Sequence, residues 1–201
     1  MASPFDRLMD TIRPHLPGAV DNAIKQELFM TCLDFFKRSG AWQEEITFTL
    51  KSKRNTGEVM PFSGRIERLM WVTTMENRPV MGAIMPDTAN GVIHMPFTAE
   101  VDTQYKAVLA LTVTDPISRD AFPIVPFEIA QKYTEELIDG ILSRMMAQPS
   151  KPYTNLALGQ YHMTKFLGGA SRAKNEVLAG STFGSQRWSF PQTFNRRKTW
   201  R

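Results

Sequence analysis

The apolar and polar positions of this chain change period twice. Near the start, Phe5, Leu8, Met9 and Ile12 fall at helical spacing behind Ser3-Pro4, a capping residue followed by a first-turn proline, and Pro14 sets the limit of this short helix. Asp21 opens a longer helix. Its Ile24, Leu28, Cys32, Phe35 and Phe36 form one stripe, Lys37 and Arg38 occupy the last turn, and Gly40 takes the place just past the end. From Trp42 the period shortens: ITFTLKSK (46–53) alternates, while RIERLMWVTT (65–74) and KAVLALTVTD (106–115) are β-rich runs. Turn residues stand between them at NTG, ENRP and ANG, and Asn90-Gly91 reads as a tight hairpin turn. Five or six short strands are predicted over 42–115. With no helices alternating among them, they form an antiparallel β-sandwich or a curled sheet.

Helical spacing returns at Pro126. Ile129, Tyr133, Leu137, Ile141 and Met145 predict one helix through PFEIAQKYTEELIDGILSRMM, with Glu135, Glu136 and Asp139 on its wetter faces. After the break QPSKP, Thr154 is expected to cap a second long helix that runs to Ala179 and closes at Gly180. A short connection makes these two helices antiparallel neighbours. The second holds Gly168-Gly169-Ala170 and Ala173, and an interior glycine costs about 1 kcal/mol relative to alanine. Gly168, Gly169 and Ala173 are therefore candidate helix-packing positions, where another backbone comes close; a kink or a frayed helix is the other reading.

The fold class that follows is α+β: a bundle of N- and C-terminal helices with an inserted antiparallel, sandwich-like β module and an extended C-terminal arm. Its divisions are residues 1–41, N-terminal helices; 42–115, β module; 116–180, the helical pair completing the bundle; and 181–201, the arm.

Composition is that of a globular protein, 42% hydrophobic and 22% charged over 201 residues. No apolar run reaches the roughly 20 residues needed to cross a bilayer, and MASPFDRLMD lacks a secretory-signal pattern, so assembly in a cytoplasm is expected. The net charge of +4 conceals an asymmetry. Residues 1–150 hold 15 Lys and Arg against 19 Asp and Glu, whereas residues 151–201 hold 9 against 1. A body of −4 and an end of +8 predict that the end meets an acidic protein surface, a nucleic acid or an anionic membrane.

Candidate chemistry is sparse. Cys32 lies among apolar residues and reads as a buried, inert thiol. His15, His94 and His162 stand singly without ligand spacing, so no metal site is expected, and the sequence has no phosphate-binding loop or nucleophile motif. Glu44-Glu45 and Glu135-Glu136 are adjacent pairs, and consecutive side chains do not face each other on a helix or a strand. Met60, Met70, Met75, Met81, Met85 and Met95 crowd the β region, as core fillers or as a face for partners. These features lead to no enzyme, no catalytic residue and no cofactor, and leave binding or structure as the role.

The arm, STFGSQRWSFPQTFNRRKTWR, interleaves Phe183, Trp188, Phe190, Phe194 and Trp200 with Arg187, Arg196, Arg197, Lys198 and Arg201, and contains no acidic residue. Ordering its backbone costs about 1 to 2 kcal/mol per residue, more than five rings at about 1.5 to 3 kcal/mol each return. The arm therefore needs a partner that supplies pockets for the rings and acceptors for the cations. Single-stranded nucleic acid is one such partner, through phosphate contact and base stacking. An acidic, concave protein groove suits an extended tail with large anchors better.

The succession of N-terminal helices, β-rich insertion, two long helices and basic aromatic arm resembles the head-to-tail adaptor (tail tubular or head-completion) proteins of short-tailed bacteriophages. The helix pair PFEIAQKYTEELIDGILSRMM and NLALGQYHMTKFLGGASRAKNEVL, followed by FGSQRWSFPQTF, carries the resemblance. It implies a non-enzymatic virion protein in the tail or neck, assembled in the host cytoplasm as a ring, usually of twelve copies, beneath the portal. The arm from Phe183 to Arg201 would dock on the portal, the β module would face outward or meet the next tail component, and DNA would pass through the channel without sequence-specific binding. The alternative is a basic nucleic-acid-binding accessory protein that uses the same C-terminal segment.

Overall fold

The computed structural model describes residues 4–114 and 121–180. The expected Ser3 cap and the arm, 181–201, lie outside the described residues.

Helix α1 (Pro4–Ile12) runs into a 3-10 turn at Arg13–His15, and α2 spans Asp21–Ser39. The bounds of α2 follow from local chemistry. Gly40 adopts the left-handed conformation (φ 62°) that lets its amide donate to the Phe36 carbonyl at 2.8 Å and close the last turn. The two adjacent phenylalanines point different ways. Phe35 packs on Tyr133 and Phe166, with centroids 5.0 and 6.2 Å away, whereas Phe36 meets Trp42 edge-on at 5.7 Å. Helix α2 is thus the hub, joined to the C-terminal helices through one face and to the sheet through another.

Seven strands follow among the described residues: β1 (Gln43–Leu50), β2 (Thr56–Glu58), β3 (Arg65–Thr74), β4 (Pro79–Val80), β5 (Ile84–Asp87), β6 (Val92–His94) and β7 (Thr103–Thr112). They form two antiparallel sheets, ordered β1-β7-β3-β4 and β2-β6-β5. Strand β7 is central in the larger sheet, and every residue from Ala107 to Thr112 is buried, as a strand covered on both faces requires. Two expected turns form: Asn77 (φ 61°) turns β3 into β4, and the loop 88–91 joins β5 to β6, with Asp87 accepting from the Ala89 and Asn90 amides. NTG is not a turn. Thr56-Gly57-Glu58 is strand β2, and a side chain at Gly57 would lie 2.4 Å from the Phe48 ring of β1, so the glycine is there for the approach of one sheet to the other.

Helices resume with α3 (Phe127–Lys132), α4 (Thr134–Met146) and α5 (Leu156–Gly180). The single helix expected from Pro126 to Met146 is broken at Tyr133, whose φ of −110° lies outside the helical range. The cause is local: the Thr134 hydroxyl donates to the Ala130 carbonyl at 2.9 Å, which a continuous helix would pair with the Thr134 amide. Helix α5 returns antiparallel to α4, as expected of the pair, with Asp139 beside His162 and Lys132 beside Glu176. Thr154 does not cap it. Asn155 does, its side-chain oxygen accepting from the Leu158 amide at 3.1 Å, while Thr154 donates to the Gln148 carbonyl at 2.6 Å and fixes the connection.

The protein is α+β, with N-terminal helices, two antiparallel sheets between, and C-terminal helices packed on α2. One continuous apolar core runs from Phe5, Leu8 and Ile12 in α1 through α2 and β7 to Leu137, Ile141 and Phe166.

Candidate functional site

Helix α5 is 25 residues long, yet its buried residues are only Gly159, Phe166, Gly169, Ala170 and Ala173. These small residues let it lie close to its neighbours. A side chain at Gly169 would come within 2.3 Å of the Glu136 Cγ on α4, so Gly169 marks the tight crossing there, and Ala173 continues the buried stripe one turn on. Gly168 is different. A side chain there would meet nothing within 4 Å, so the space beside this glycine is open among the described residues.

The side of α5 that carries Gly168 faces an open depression of about 590 Å³, lined by Glu135, Glu136, Asp139, Lys165, Gly168 and Arg172. Asp139 Oδ1 lies 2.7 Å from His162 Nδ1, and both side chains are mostly buried. Glu136 faces Arg172 at 3.5 Å. Lys165 lies over the Tyr161 ring, and its hydrogen bond to Tyr161, with the charge of Asp139, raises its pKa. Further along, Lys132 and Glu176 pair at 2.8 Å, which raises the lysine's pKa and lowers the glutamate's. Glu135 makes no salt bridge among the described residues and is exposed. No serine or cysteine lines this depression, and its carboxylates other than Glu135 are engaged. What it offers is a patterned charge surface.

The opposite side of α5 borders a cleft of about 390 Å³ lined by Lys37, Arg38, Arg68, Leu167, Ala170, Ser171 and Lys174. Its cations come from the end of α2, from β3 and from α5. Arg38 is held by Asp34 at 2.7 Å and Lys37 is 3.7 Å from Glu67, whereas Arg68 and Lys174 make no salt bridge among the described residues. Leu156, Met163 and Leu167 on this side are exposed, at 62, 38 and 38%.

The β module presents apolar side chains of its own. Met60 and Phe62 stand 85 and 95% exposed on a loop anchored by Phe62 N–H donating to Glu44 Oε1 at 2.9 Å, and Met81 is 83% exposed. The six methionines of this region divide: Met95 is buried, Met85 packs on the core and Met70 is half-buried in β3, whereas Met60, Met75 and Met81 are on the surface.

Cys32 is fully buried and its thiol pKa is pushed far up by desolvation, so it is inert. His15 lies in the 3-10 turn, His94 in β6 and His162 on α5, and no group of three His, Cys, Asp or Glu is placed to hold a metal among the described residues. No described helix is long and apolar enough to cross a membrane. The arm residues Phe183, Arg187, Trp188, Phe190, Phe194, Arg196, Arg197, Lys198, Trp200 and Arg201 lie outside the described residues. The two charged flanks of α5 escaped sequence reasoning because their members are far apart in the chain. The repeat Leu156, Met163, Leu167, with steps of seven and four, was the signal available for one of them.

No protein-family model matches the chain, and no curated protein matches it in sequence.

Proposed function

We propose that the protein is a non-enzymatic structural component of a virion, a head-to-tail adaptor of a short-tailed bacteriophage. Copies form a ring around the DNA channel, the arm 181–201 docks each copy on the portal, and the ring carries the next tail component. The observation that carries this reading is the concentration of five aromatics and five cations, without one carboxylate, in the last 21 residues of a chain whose first 150 residues are net acidic. Aromatic and guanidinium groups are the anchors that dominate protein interfaces, and many modest arms engaged together gain avidity. The exposed Met60 and Phe62 of the β module supply apolar contacts suited to the tail component below.

Capture of the chain by purified portal rings tests this. Deleting residues 181–201 abolishes capture while leaving the fold intact by circular dichroism; a truncated chain captured as well as the full one refutes the portal role. The same aromatic and cationic load also fits single-stranded nucleic acid, the second reading. In that case the full chain would bind oligonucleotides with an affinity that falls steeply between low and moderate salt, whereas the adaptor reading expects little affinity at moderate salt.

A further inference from the structure

The two exposed flanks of α5 complement each other, in charge and in level. At about 100° per residue, the side bearing Leu156, Met163, Leu167 and Lys174 lies roughly 160° around the helix from the side bearing Leu158, Tyr161, Lys165, Gly168 and Arg172, with the buried stripe between them. The first flank is basic where Lys174 joins Lys37, Arg38 and Arg68, and the nearby Asp34 and Glu67 leave it an excess of positive charge. The second is acidic where Glu135, Glu136 and Asp139 outnumber Lys165 and Arg172.

The order along the axis is the same on both sides. Apolar side chains come first, Leu156 and Met163 on one flank and Leu158 and Tyr161 on the other, all exposed. Charge comes second, over residues 167–174 on one flank and 165–172 on the other, level to within about one helical turn. Two copies related by rotation about an axis parallel to α5 would therefore set apolar against apolar and basic against acidic.

Two further features have no use among the described residues. Gly168 pays the helix-propensity penalty of about 1 kcal/mol with no described atom close enough to need its small size. Arg68 and Lys174 converge on one cleft with no carboxylate of the described residues in salt-bridge range.

From these placements we infer that α5 is the contact between neighbouring copies of this chain: the basic flank of one copy receives the acidic flank of the next, head to tail, with the helices parallel and Gly168 allowing close approach. The complementary patches are different surfaces of one subunit, so the contact is heterologous and propagates from copy to copy. This assignment rests on reading the chain as a ring subunit and names the faces that close the ring.

A charge exchange tests it, read by mass photometry of the full chain over a range of concentrations, alone and with portal rings present. Lys174→Glu and Glu135→Lys change exposed side chains that make no salt bridge among the described residues, so each variant is expected to fold. Each alone opposes like charges at every contact and raises the concentration of half-assembly about tenfold. Mixing the two variants restores assembly, because the contacts alternate between a native pair and an exchanged pair, and a chain carrying both changes assembles by itself. Single variants that assemble like the parent, or a mixture that fails to recover, overturn the assignment of faces while leaving the ring intact. A parent chain that stays monomeric in both settings overturns the ring itself. Loss of oligonucleotide binding in Lys174→Glu with unchanged assembly would make the basic flank a nucleic-acid contact, and also overturns it. Portal capture through the arm is scored separately, because deletion of 181–201 removes capture and spares the α5 contact.

Discussion

Helices α2 and α5, 19 and 25 residues, are the two longest among the described residues, and they use their surfaces in opposite ways. The shorter one buries Ile24, Leu28, Cys32, Phe35 and Phe36 together with Thr31 and Ser39, so its apolar stripe is spent on its own fold. The longer one buries a single large side chain, Phe166, among glycines and alanines, and leaves Leu156, Tyr161 and Leu178 more than half or about half exposed. Since helices in proteins owe most of their stability to packing of an apolar face, α2 needs nothing beyond this chain. Helix α5 leaves apolar side chains exposed, and the arm follows it in the sequence.

The sharpest way to break this contrast is a pair of truncations. Phe35→Ala removes a ring with no solvent exposure that touches both Tyr133 and Phe166, and is expected to lower unfolding stability by about 3–5 kcal/mol in denaturant titration. Leu167→Ala on α5 should stay within about 0.5 kcal/mol. Equal losses would erase the distinction. Next in size is Gly140→Ala on α4, where the new methyl would lie 2.3 Å from Thr31 Cγ2 and 2.8 Å from the Phe166 ring; overpacking of this kind costs about 1–3 kcal/mol.

A smaller effect of opposite sign sharpens the picture. Gly168→Ala should raise the stability of the unassembled chain by up to about 1 kcal/mol, because it gains helix propensity and meets nothing. The same change at Gly169 pushes on Glu136 and should gain less or lose. The smallest effects are electrostatic. Hydrogen bonds from Asn90 and Ala89 hold the Asp87 carboxyl below its ordinary value of 3.8, the Ser52 amide and Lys51 do the same for Asp102, and Lys132 for Glu176. Groups with a lowered folded pKa give a stabilisation that is complete above the unfolded value and is lost as pH falls through the folded one. Thermal midpoints should therefore decline below about pH 4. Asp102→Asn in the β region and Glu176→Gln on α5 should each flatten that decline slightly.

Much of this was readable from local pattern, and what was not depends on atoms brought from afar. Both ends of α2 and the whole of β3 follow from residues in place: a stripe, a terminal glycine, a β-rich run. The break at Tyr133 was hidden because Ile129, Tyr133 and Leu137 keep helical spacing across it, and only the Thr134 hydroxyl competes for the backbone. Thr154 and Asn155 are both good caps by type, and the choice fell to Asn155 because the Thr154 hydroxyl is taken by Gln148. Gly57 looked like a turn because the Phe48 ring that requires it belongs to another strand. The charged flanks of α5 combine Arg68 from a strand with Lys174 from a helix, or Glu135 with Arg172, pairings that exist only after the chain has folded.

The central claim is that the last 21 residues find their place on another protein. A cryo-electron microscopy map of the assembled neck decides it: Trp188, Phe190 and Trp200 are expected between portal subunits. The same rings lying against the α4 and α5 of their own subunit would contradict it.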